Sequence, residues 1–117
     1  MQFLHTDDVS WHEPSGHVRG YSKFLVDPGN MGSRYFDFRL SRYPPGGTVT
    51  VHTHGVAEHV YYFIEGSAEA VCGDETQTVG PGTVMFVRPK VPHSLVNTGD
   101  GDLVFVVVTS PPTDIAR

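Results

Sequence analysis

The chain has 117 residues, 38% of them hydrophobic and 18% charged, with a formal net charge of −5; that is one domain's worth of ordinary globular composition. The acidic balance and the scatter of its eight Lys and Arg exclude the basic stripe that a nucleic acid or an anionic membrane surface would call for. A single cysteine, Cys72, excludes both an intramolecular disulfide and a thiolate metal cluster, and reads as a small buried apolar residue.

The opening stretch, Met1 to Pro14, carries acids early and has no apolar core of a secretory signal. No window approaches the ~18 apolar residues of a membrane span. The expectation is a cytoplasmic protein with no membrane contact. His5, His12 and His17 lie in this N-terminal segment and are read as surface or lid residues rather than ligands.

From there the 13 glycines and nine prolines cut the chain into short pieces rich in Val, Tyr, Phe and Thr, the composition of strands. The expected strands are 21–26, 34–43, 48–53, 59–65, 68–72, 76–79, 83–88, 93–97 and 103–109. Turn signals such as Asp27-Pro28-Gly29-Asn30, Pro44-Pro45-Gly46-Gly47 and Gly80-Pro81-Gly82 separate them. No stretch sustains a helical apolar period, so the chain reads as all-β, a sandwich or barrel. Phe36, Phe38 and Leu40 alternate on one face of the long early strand and are expected to close the barrel. Leu103 to Val108 is apolar at every position, so both of its faces should be covered, by a second sheet or a partner subunit. Pro111 and Pro112 then stop strand pairing. The whole of 1–117 is read as one domain: an arm and first strand to 33, a barrel over 34–109, and a tail from 110.

Four of the seven histidines form a pattern. His52 and His54, at i and i+2, leave the same face of an extended strand. After Gly55-Val56-Ala57-Glu58 the chain re-enters a strand, where His59, Tyr61 and Phe63 share a face. His93 begins a later strand, with Leu95 and Asn97 on its face. Imidazole nitrogens bind Zn, Fe, Ni, Cu and Mn at roughly 2.0–2.2 Å. Ligands converging from separate strands would meet inside a barrel.

Over residues 34 to 109 the chain resembles the cupin superfamily. The first cupin motif asks for a glycine, five residues, a His-x-His pair, then an acid followed by six residues and a glycine. Gly46, His52-Thr53-His54 and Gly66 answer it. The second asks for a glycine, five residues, a Pro-x-Gly, two residues, a histidine, three residues and an asparagine. Gly82, His93 and Asn97 answer it, while Arg88 and Lys90 replace the proline and glycine. The acidic position departs. Counting back from Gly66 lands on His59, whereas counting forward from His54 lands on Glu58. The buried face fixes a strand's register, which favours the backward count, and a one-residue slip would turn Glu58 in and His59 out.

The resemblance implies a jelly-roll barrel (a double-stranded β-helix) holding one divalent transition metal ion, Fe, Mn, Zn, Ni or Cu, on His52, His54, His59 and His93. Four neutral ligands leave the ion's charge uncancelled, which suits an anionic or enolisable small-molecule substrate chelating the metal. Tyr61, as a proton donor or hydrogen-bond partner, and Glu58, as a supporting acid or base beside an imidazole, are the candidate catalytic residues. The implied activities are dioxygenase chemistry, or a non-redox polyketide-cyclase, isomerase or lyase reaction, or ligand sensing without catalysis. A homodimer is expected, through 21–26 and the apolar last strand, and no nucleic-acid partner.

Overall fold

A computed structural model describes residues 1–114. The chain is all-β, with ten strands in two five-stranded antiparallel sheets that face each other as a jelly-roll barrel. The strands are β1 (His17–Val18), β2 (Tyr21–Val26), β3 (Asp37–Tyr43), β4 (Thr48–His52), β5 (Glu58–Glu65), β6 (Ala68–Cys72), β7 (Glu75–Val79), β8 (Val84–Val87), β9 (His93–Asn97) and β10 (Leu103–Ser110). One sheet runs β1-β4-β9-β6-β7, the other β2-β3-β10-β5-β8.

Alternation sets which residues face inward. On β5, His59, Tyr61 and Phe63 are buried and Val60, Tyr62 and Ile64 are exposed. On β10, Leu103, Phe105, Val107 and Thr109 are buried and the residues between them only half so. Phe63, Phe105, Leu103, Val87 and Leu95 fill one end of the barrel almost without exposure. Each such side chain contributes about 1.5–3 kcal/mol of burial. The last strand is therefore covered on its inner face, and its outer face is half-covered within one chain.

β3 corrects an expectation. Phe38 and Leu40 lie on its outer face, Phe36 precedes it and is exposed, and none of the three closes the barrel. The inward positions are Asp37, Arg39, Ser41 and Tyr43, all buried. The phenylalanine and leucine mark the outer face of a strand whose inner face lines a polar cavity. The long early strand also begins at Asp37 rather than residue 34, and β4 ends at His52, one residue short of the expected end.

The two turns that frame the site meet at Asn97. Its backbone N–H donates to Gly47 O (2.9 Å), and its carbonyl accepts from Gly46 N–H (3.0 Å). Its side-chain amide donates to Tyr43 O (2.7 Å) and Gly101 O (2.8 Å), and its Oδ1 accepts from Gly99 N–H (2.9 Å). These bonds lock β4 to β9, so that His52 pairs with His93 across the ladder. Gly66 ends β5 at a φ of +84°, where a Cβ would stand 2.4 Å from Asp102 O; only glycine fits there.

Candidate metal centre

His52 ends β4, His54 follows it in the loop, His59 comes from β5 in the opposite sheet, and His93 opens β9. His54 lies beyond the strand, but its carbonyl is held by Lys90 N–H at 2.7 Å. The i, i+2 placement therefore still brings its ring 5.0 Å from that of His52. The ligating nitrogens available on His52, His54 and His93 all lie within 4.8 Å of one another. The His59 ring stands beside this trio, 4.4 Å from that of His54 and 5.2 Å from that of His93.

The far nitrogen of three rings is already engaged. Nδ1–H of His52 donates to Thr50 O (2.8 Å) and Nδ1–H of His93 to Val91 O (2.9 Å). His59 Nδ1 shares a hydrogen bond with Thr109 Oγ at 2.7 Å. A carbonyl can only accept, so in His52 and His93 the proton sits on Nδ1 and the lone pair on Nε2. Nε2 of His54, His59 and His93 is buried with no hydrogen-bond partner among the described residues. Buried polar atoms are nearly always satisfied. Such orphaned imidazole nitrogens, two of them on the converging trio of His52, His54 and His93 and the third on the neighbouring His59, fit a divalent metal ion.

Electrostatics keep these rings neutral, as ligation requires. Burial, with His54 and His93 close by, lowers the His59 pKa to about 3. Burial lowers that of His93 to about 4 against the opposing pull of its Val91 hydrogen bond. His54 is lowered by burial and by His52.

Of the other candidates, Tyr61 lies inside the barrel with its ring 6.1 Å from that of His59, and burial pushes its phenol well above the ordinary range. Glu58 leaves the opposite face of β5 and is exposed; the group that touches His59 Nδ1 is Thr109. Cys72 pairs with His93 across β6 and β9, and burial raises its thiol pKa, so it is not an activated nucleophile. His5 and His12 are exposed.

His52, His54 and His59 line an inner cavity of about 50 Å³ that adjoins an outer vestibule of about 420 Å³. His17, Val49, His52 and His54 border both and form the neck between them. Thr113 and Asp114 border the vestibule, where Asp114 Oδ2 accepts from Val56 N–H (2.8 Å) and Ala57 N–H (3.0 Å). Arg39, Ser22, Ser41 and Thr109 were not singled out by their sequence context, and His17, read as a surface or lid residue, is half-buried and borders the inner cavity. The one available signal was the polar residue at every second position of β3, opposite an apolar set.

The cupin domain family model matches residues 39–109. The chain is 31% identical over 71 residues to an oxalate-binding protein of Thermotoga maritima, covering 61% of this chain and 59% of that one. It is 30% identical over 69 residues to an uncharacterized protein of Methanocaldococcus jannaschii, covering 59% and 55%. The chain thus spans somewhat over half the length of these relatives. Among solved structures it superposes on the polyketide cyclase RemF from Streptomyces resistomycificus with a TM-score of 0.84 and 30% identity, over 100% of this chain and 84% of that one. It superposes on a predicted oxalate decarboxylase from Thermotoga maritima with a TM-score of 0.83 and 23% identity, over 93% and 98%, a likeness of fold.

Proposed function

The chain belongs to the cupin domain family, and from that premise we propose that it is a metal-dependent enzyme acting on a small oxygenated molecule, anionic or enolisable, inside the barrel. The observation that carries this reading is the set of buried, partnerless Nε2 atoms on His54, His59 and His93 beside His52. His52, His54, His59 and His93 would hold the ion. Bound there, divalent iron, manganese, zinc, nickel or copper supplies Lewis acidity and, where the ion is redox-active, oxygen chemistry.

The chain's own residues do the remaining work. Thr50 O, Val91 O and Thr109 Oγ fix the tilt of three rings. The buried Tyr61, Phe105 and Val107 give the inner cavity an apolar wall. Tyr61, held protonated by burial, is placed to donate a hydrogen bond to a substrate oxygen; the exposed position of Glu58 leaves that role to Tyr61.

Two reactions suit this site: dioxygenase chemistry, and a non-redox cyclisation, isomerisation or elimination. The 30% identity to a polyketide cyclase over the whole chain favours the second. Metal-loaded protein incubated with small dicarboxylates and enolisable ketones, with and without dioxygen, tests the reading. Turnover that needs dioxygen supports an oxygenase, and turnover without it supports the Lewis-acid reaction. Tight binding without turnover makes the protein a sensor.

The protein is also proposed to work as a homodimer. The outer face of β3-β10-β5-β8 carries the rows Phe38–Val108–Val60–Phe86 and Leu40–Val106–Tyr62–Val84. At strand and row spacings of ~4.8 and ~6.7 Å these two rows cover about 260 Å², one contiguous apolar patch on the outer wall of the barrel. Its occupant is taken to be a second copy, since a two-fold axis would lay one apolar face on the other, with Glu58 and the Arg88 guanidinium over Phe86 beside them.

A further inference from the structure

The loop that joins β4 to β5 runs from Thr53 to Ala57 without regular structure, holds His54, and leads within two residues to His59. Packing does little for its tip. A Cβ at Gly55 would meet nothing within 4 Å, and Val56 is 66% exposed. Backbone hydrogen bonds hold the loop instead. Lys90 N–H donates to His54 O at one end. At the other, Asp114 Oδ2 accepts from both Val56 N–H (2.8 Å) and Ala57 N–H (3.0 Å). Ala57 is 1% exposed, so its N–H has no water to turn to, and a buried donor left unpaired is costly.

β10 delivers Asp114 to this place. Its last residue, Ser110, pairs with Glu58 at the start of β5. Pro111 and Pro112 have no N–H with which to extend the ladder. The chain therefore leaves the sheet there and reaches the loop with Asp114, which borders the vestibule together with Thr113. The Asp114 backbone also hydrogen-bonds the His54 ring, against the lowering of that ring's pKa by burial and by His52. Thr50 O, Val91 O and Thr109 Oγ support the rings of His52, His93 and His59; the ring of His54 is supported from Asp114.

We propose that Asp114 is a positioning residue of the metal centre: its carboxylate clamps the loop between His54 and His59, so that these two ligands face the same ion. The inference deepens the metal-enzyme reading and rests on it. It gives the tail after β10 a task at the site, although Asp114 is itself no ligand. Groups that fix a ligand's backbone and ring from outside set how well the ligand meets its metal. The clamp is separable from a mere effect of negative charge near the ion. One oxygen of Asp114 takes both hydrogen bonds, so the single amide oxygen of an asparagine can take them too, without the charge, while alanine offers no acceptor.

The test measures cobalt affinity by competitive chelator titration, together with the visible absorption of the bound cobalt, in the wild type, Asp114→Ala and Asp114→Asn. Asp114 is half-buried and lies outside the apolar core, so both variants should fold, which circular dichroism checks. Asp114→Ala is expected to bind cobalt about 10- to 100-fold more weakly, with a changed absorption spectrum. Asp114→Asn should stay within about threefold of the wild type, with the spectrum unchanged. Wild-type affinity and spectrum in Asp114→Ala overturn the proposal, and so does equal weakening in both variants. Failure of the metal reading would show separately, as a wild type that binds no cobalt. In that event the ring signals of His54 and His59 in NMR spectra of histidine-labelled protein decide. The clamp is supported if they shift in Asp114→Ala and hold in Asp114→Asn, and any other pattern overturns it.

Discussion

At the scale of single residues, the site depends on imidazoles kept neutral by burial, and this has a pH signature. His59 and His93 fall from the ordinary 6.5 to about 3 and about 4 in the fold. Between those values the unfolded chain binds protons that the folded chain does not, so stability declines as pH drops. Metal-free protein should hold its melting temperature above pH 6.5 and lose it steadily as pH falls toward 4, and a thermal melt series checks this. A flat series over that range would mean the rings are not buried as described. Thr109 gives a second prediction. Thr109→Val removes the hydroxyl on His59 Nδ1 at nearly constant shape, and metal affinity should fall about 10- to 100-fold in a competitive chelator titration, with little loss of fold. His52, His54 and His93 were legible because two spacing patterns converge on them. Arg39 was not, because an arginine between Phe38 and Leu40 looks like the solvent side of a strand until its register is known.

Among the elements, strand positions followed from glycine and proline punctuation and were read to within a few residues, whereas the facing of β3 was not. Alternation shows that one set of residues is apolar, but not whether that set turns to the core or to another surface. The turn before β9 shows what a motif departure costs. Lys90 stands where the family motif has glycine, and it adopts a φ of 68°, a left-handed conformation that costs an ordinary residue about 1–2 kcal/mol. Lys90→Gly should stabilise the protein by about 0.5–1 kcal/mol in urea melts, after glycine's own entropic cost, and keep the 2.7 Å bond to His54 O. Gly66→Ala should do the reverse, since the left-handed φ and the nearby Asp102 carbonyl leave no room for a methyl. A loss of roughly 2–4 kcal/mol is expected, with a disturbed β5 register that would show as weaker metal binding.

For the whole molecule, the barrel has one polar face inside and one apolar face outside. The single chain leaves Val60, Tyr62, Ile64, Val84 and Phe86 exposed. If a second copy covers them, light scattering will report about twice the mass of one chain, and Tyr62→Glu will shift the protein to monomer without emptying the metal site. A wild type that is monomeric at every concentration would remove the dimer from the account.

The central claim, that the histidines of this barrel hold a metal with His59 among them, meets its most direct test in elemental analysis. Protein purified without chelator should carry about one divalent transition metal per chain. That metal should be lost in His59→Ala and retained in Glu58→Ala. A metal-free wild type, or occupancy that survives His59→Ala and disappears in Glu58→Ala, would contradict it.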